Sequence, residues 1–88
     1  MISLVSLAIE GPNELLLTFS DESFGVWSAA EVIARDTVLT RPLAEPDYFA
    51  RAFIEGGEGL AWPNGLEFSA AALHRKLDEA GRLALRAA

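Results

Sequence analysis

The 88 residues contain no cysteine, one histidine and one methionine. Without cysteine there is no disulfide framework and no thiolate nucleophile, a composition that suits a reducing compartment such as the cytoplasm. With His74 as the sole histidine, any general base or metal ligand has to be that residue or a carboxylate. Zinc is disfavoured on ligand count, because its sites need three or four N, S or O ligands and no clustered spacing supplies them. No apolar run is long enough to span a bilayer, and Met1-Ile2-Ser3-Leu4 lacks the basic leader of a secretory signal. Positive charge is also missing early in the chain. Arg35 is the first basic residue, preceded by Glu10, Glu14, Asp21, Glu22 and Glu31.

What is present describes one small domain over residues 1–88. Hydrophobic residues make up 51% and charged residues 23%, a globular composition. A core of this size is marginal and gains from a partner's surface, whether a second protein or a second copy. Thirteen acidic residues against seven basic ones leave a net charge of −6. Such a surface repels duplex nucleic acid and attracts a basic protein. From His74 onward the sign reverses, with Arg75, Lys76, Arg82 and Arg86 against Asp78 and Glu79.

The stretch Trp62-Pro63-Asn64-Gly65 is the strongest local signal. Proline presets the first turn position, asparagine follows, and glycine takes the site where positive φ costs least. Ser69 then stands where it can cap a helix, with Phe68 and Leu73 spaced as a hydrophobic staple. Upstream, Val5, Leu7 and Ile9 alternate with Ser6, Ala8 and Glu10, and, across Gly11-Pro12-Asn13-Glu14, Leu15, Leu17 and Phe19 alternate with Leu16, Thr18 and Ser20, Leu16 being an anomaly on the other face. This predicts an antiparallel hairpin with those residues inward. A polar turn at residues 20–23 and a strand at residues 24–27 complete a meander. Ser28-Ala29-Ala30-Glu31 matches a capping box, flanked by Trp27 and Val32, and starts a helix of about two turns.

Residues 37–43 are expected to be extended, with Val38, Leu39 and Leu43 over the core. Pro46 opens a short helix whose inward anchor is Phe49. Strands follow at 52–55, 60–62 and 66–68. Residues 70–87 read as an amphipathic helix, with Leu73, Leu77, Ala80 and Ala84 on one stripe and Arg75, Arg82 and Arg86 opposite; Gly81 weakens its interior. The expected class is α+β: an antiparallel β-sheet of five or six short strands, with one or two short helices and a C-terminal amphipathic helix.

Residues that could carry chemistry are better explained structurally. A lone histidine on a charged helix face is usually solvated. Asp21-Glu22 fits a turn, and Asp78-Glu79 a helix surface where Asp78 can pair with Arg82. Gly56-Gly57-Glu58-Gly59 lies between two strands and lacks the Lys-Ser/Thr of a phosphate loop. Phe19, Phe49, Phe53 and Phe68 fit core positions; Trp27, Trp62 and Tyr48 carry polar atoms that suit a surface pocket or interface, although core or turn packing is the better reading for them too.

The order of these features, with Pro42-Leu43, Phe49 and a Gly-x-x-Trp-Pro-Asn-Gly-x-Glu hairpin before Leu73, resembles bacterial domain of unknown function family 2442. The likeness covers about residues 2–77, leaving 78–88 as a helical extension. Similar members commonly carry an acidic residue and glycine where this chain has Asp21-Glu22-Ser23, and many have aspartate at the position of Ser28. The resemblance implies no catalytic residue, cofactor or metal. It implies a partner-binding, antitoxin-like role, because such domains are often encoded beside small toxin-like proteins.

The expectation is therefore an acidic interaction module, not an enzyme, that neutralises a basic partner through Glu10, Glu14, Asp21, Glu22 and the exposed parts of Trp27 or Trp62. The alternative is a nucleic-acid-associated regulator using Arg75, Arg82 and Arg86, which predicts binding that falls steeply with salt.

Overall fold

The alternation of Leu15, Leu17 and Phe19 with Leu16 and Thr18 is realised as the central strand of a meander. In the computed structural model, which describes residues 1–85, β1 (Leu4–Gly11), β2 (Glu14–Phe19) and β3 (Ser23–Ser28) pair antiparallel in chain order. Helix α1 (Ala30–Ala34), a 3-10 turn (Arg41–Ala44) and α2 (Pro46–Phe49) follow. Next come β4 (Phe53–Glu55), β5 (Gly59–Ala61) and β6 (Glu67–Ser69), which form a second antiparallel sheet in chain order. Helix α3 (Ala70–Glu79) leads to β7 (Ala84–Leu85), which joins the free side of β3 and gives the first sheet the order β1-β2-β3-β7. The class is α+β, with the strands divided between two sheets.

One core joins both sheets. Leu15, Leu17 and Phe19 from β2 meet Leu43, Phe49, Leu60 and Trp62, all exposed by 2% or less. Trp62 is the centre of an aromatic cluster, its ring 5.9 Å from Phe49 and 6.2 Å from both Trp27 and Phe68. Its Nε1–H donates to the Phe49 carbonyl at 3.1 Å, so the indole is buried without an orphaned donor. The turn that follows it closes as its residues require: the Gly65 amide donates to the Trp62 carbonyl, and the Leu66 amide to Asn64 Oδ1.

Both proline-asparagine turns reach into the middle of the chain. Asn13, at φ 59 after Pro12, donates from Nδ2 to the Leu43 carbonyl at 2.8 Å. Asn64 Nδ2 donates to the Leu39 carbonyl at 3.1 Å, and its amide to the Tyr48 hydroxyl at 3.0 Å. The irregular segment between α1 and β4 is thus pinned from two sides by side-chain amides.

Several expectations are corrected. In β1, Leu4 is the buried residue, while Val5 is 60% and Ile9 52% exposed. Register shifts between Leu4 and Ser6 and between Ile9 and Gly11 break the simple alternation. Residues 37–43 are not extended. The hydroxyls of Thr37 and Thr40 each accept the other's amide, and this local bonding outcompetes a strand. Only Leu43 of that segment reaches the core; Val38 is 81% exposed. Phe53 lies on the outer face of β4, 42% exposed.

The last helix stops at Glu79, not near residue 87. Gly81, at φ 68, donates its amide to the Asp78 carbonyl, and Arg82 donates to Leu77 at 2.8 Å. This is the Schellman pattern, in which glycine satisfies the last carbonyls by adopting the left-handed conformation. The glycine expected to weaken the helix interior is its terminator.

Candidate functional site

The four acids singled out in the sequence occupy both ends of β2 and form no single patch. Glu10 and Glu14 flank the β1–β2 turn; Asp21 and Glu22 form the β2–β3 turn. The six residues of β2 separate the two groups by roughly 17 Å at the rise of an extended strand. Asp21 is also engaged internally. Its Oδ1 accepts from the Ser23 amide and hydroxyl, and its Oδ2 lies 2.9 Å from His74 Nε2 on α3. Hydrogen bonds from Ser23, with a smaller contribution from His74, lower its pKa from the usual 3.8 to about 2. An ionised carboxylate only accepts, so the histidine N–H is the donor.

His74 is therefore a cross-brace, not the solvated side chain that the sequence suggested. Its ring meets Phe19 edge-on at 5.1 Å. Residues 21 and 74 are 53 positions apart, and no sequence spacing relates them.

The two tryptophans do not present exposed rings. Trp62 is 1% exposed and belongs to the core, which overturns its expected place at an interface. Trp27 is 7% exposed, but it forms part of the wall of a cleft of about 100 Å³ between α1 and α3. Val32, Phe68, Ala72 and Leu73 complete the apolar lining, and Glu31, Arg35 and Lys76 stand around it. Lys76 Nζ lies 3.6 Å from Glu31 Oε2. The sequence did hold a signal for this cleft: Trp27/Val32 and Phe68/Leu73, the two staple pairs, are all part of its lining.

The arginine stripe is also overturned. Arg75 is exposed on α3, but Arg82 lies beyond the helix cap, and Arg86 is outside the described residues. The stripe needed the helix to run eleven positions beyond Arg75, and the helix ends four positions beyond it. Among the described residues, no group of three or more His, Asp or Glu side chains is placed to hold a metal ion, and no helix is long and apolar enough to cross a membrane.

Strand β1 is exposed along most of its length. It is one of the two outer strands of the four-stranded sheet and, at eight residues, the longest strand. The Leu4 amide donates to the Gly57 carbonyl at 2.7 Å, which ties down one end. From Val5 to Glu10 every residue except half-buried Leu7 is exposed. A long exposed edge with apolar side chains is a template for another strand. Glu10 and Glu14 lie at one end of it, and Asp21 and Glu22 toward the other.

No protein-family model, curated protein or solved structure matches this chain.

Proposed function

We propose that this chain is an acidic protein-interaction module that receives a strand from a basic partner along the open edge of β1. The exposed stretch from Val5 to Glu10 carries the reading. Main-chain hydrogen bonding to an edge supplies affinity, while alternate side-chain contacts supply selection. Val5 and Ile9 offer apolar contact, and acids stand near both ends of the edge. The first 34 residues contain no cation to repel a basic strand, and the net charge of −6 speeds encounter over a longer range.

Neutralisation of a small basic toxin in a bacterial cytoplasm is the concrete form that the family resemblance implies. A second copy is a poorer occupant, since two chains of charge −6 repel one another. The nucleic-acid alternative is weakened by the loss of its helical arginine face.

The test is a pull-down of the tagged chain from its bacterial host at low and high salt, with mass spectrometry of what is retained. A small basic protein held at low salt and released at high salt supports the reading. Ile9→Lys should then weaken its binding by at least about ten-fold, because a charge on the edge blocks strand addition. Retention unchanged by both Ile9→Lys and a paired Glu10→Lys/Glu14→Lys variant would overturn it.

A further inference from the structure

We propose that the cleft between α1 and α3 binds a small carboxylate with a branched or aromatic apolar body. The site is separate from the β1 edge and does not depend on the reading above. Its apolar part is built from both staple pairs: Trp27 and Val32 before and within α1, Phe68 and Leu73 before and within α3. The cleft volume of about 100 Å³ is somewhat below the roughly 150 Å³ of an apolar cavity that admits benzene. An open mouth lets a ring or an isobutyl group enter partway, against Trp27.

Charge at the mouth selects the ligand's other end. Arg35 and Lys76 border the cleft, and Arg82 borders an adjoining groove of about 270 Å³ that shares Trp27, Ser28, Glu31 and Lys76 with it. Three of the chain's seven cations therefore gather here against one carboxylate, in a protein whose net charge is −6. Among the described residues neither Arg35 nor Arg82 is paired with a carboxylate, and Lys76 holds Glu31 only loosely at 3.6 Å. Glu31, with 84% of its side chain exposed, can turn away as a ligand carboxylate takes its place beside Lys76. A single negative charge suits this exchange.

The two indoles supply the readout. Trp27 is part of the cleft lining, whereas the Trp62 Nε1–H is held inside by the Phe49 carbonyl and serves as an internal control. The intact chain is titrated with phenylacetate, isovalerate and the neutral phenylacetamide, following amide and indole resonances by NMR. The expected result is saturable movement at Trp27, Val32, Ala72 and Leu73 at millimolar phenylacetate, with Trp62 nearly still and phenylacetamide at least about three-fold weaker. Lys76→Gln and Arg35→Gln, both at surface positions, should each weaken binding by about three-fold, the scale of an exposed ion pair. Ala72→Phe, which fills the mouth, should abolish it. Shifts that never saturate, equal binding of the amide, or binding that survives Ala72→Phe would overturn the proposal.

Discussion

Helices α1 and α3 begin with the same apparatus in sequence, a large aromatic residue, a serine and an aliphatic residue four positions on, yet only α3 is capped by its serine. Ser69 leaves β6 extended (φ −70, ψ 147), and its hydroxyl accepts the Ala72 amide at 3.1 Å. At α1 the cap position is Ala29 (φ −86, ψ 4), with no side-chain bond. Ala29 is fully buried, and its amide donates to the Asn13 carbonyl. Ser28, one residue too early, accepts only from Ala30 at 3.2 Å. Glu31 does not close a capping box; it faces Lys76 of α3. A capping motif thus works only where tertiary packing lets the serine be the last non-helical residue. Here the core claims Ala29 and shifts the junction by one position.

The largest expected break in this comparison comes from the staple partners. Leu73 on α3 is 3% exposed and Val32 on α1 is 6% exposed. Leu73→Ala should cost about 2–5 kcal/mol. Val32→Ala removes less volume and should cost about 1–3 kcal/mol, at about 0.8 kcal/mol per buried carbon plus a cavity contribution. Urea unfolding of the two variants decides the matter. Equal losses would mean that α1, despite its five residues, bears as much of the core as α3.

The far end of α3 gives the next effect. A Cβ built on Gly25 would lie 2.7 Å from the Arg82 carbonyl oxygen, closer than real contacts allow. That carbonyl follows the amide bonded to Leu77, so it cannot retreat without opening the cap. Gly25→Ala should therefore displace the Arg82–Leu85 run from β3 and cost about 1–3 kcal/mol, the range for overpacking. The readout is loss of strand chemical shifts at Ala84 and Leu85 while α3 stays helical. If those shifts are retained at full stability, β7 is not held by this contact.

At the helix starts the effects are smaller. Ser28, with a glutamate three residues on, has the fuller capping box in sequence, yet it is Ser69 that caps its helix. The structure predicts about 1 kcal/mol from Ser69→Ala, the usual loss of an N-cap. Ser28→Ala should change stability by only about 0.5 kcal/mol or less, as at a surface site without such a role. Thermal unfolding of the pair is sufficient to rank them.

Legibility in the sequence follows the range of the interactions. Turn chemistry acts within four residues, so both proline-asparagine turns were readable, as were the period-two pattern of β2 and the entry of Pro46 into α2. What was not readable depends on distant partners. Val5 and Ile9 look like core residues until the register shifts of β1 are known. Gly81 reads as a weak helix interior because the β3 edge that attracts the following residues lies more than 50 positions earlier. At the candidate sites, Trp27 is part of a cleft lining whose other members come from α1, β6 and α3, which no local pattern brings together. Asp21 and His74 were each read alone, and only the fold makes them a pair.

That pair is also the smallest test of how α3 differs from α1, since it ties α3 to the β2–β3 turn. Asp21 is held at a pKa of about 2, below its usual 3.8, chiefly by the hydroxyl and amide of Ser23 and less by His74. Because the folded state favours the ionised form, the contribution to stability is complete above about pH 3.8 and fades as pH falls through about 2. Asp21→Asn should flatten this acid limb of an unfolding curve while leaving the fold intact. Carboxyl NMR titrations can then divide the effect between the turn and the helix. Ser23→Ala should raise the Asp21 pKa more than His74→Gln does, because the larger stabilisation comes from within the turn. If His74→Gln produced the greater rise, the helix would be the dominant support of the turn, and α3 would be coupled to the meander more strongly than the smaller contribution of its half-buried histidine implies.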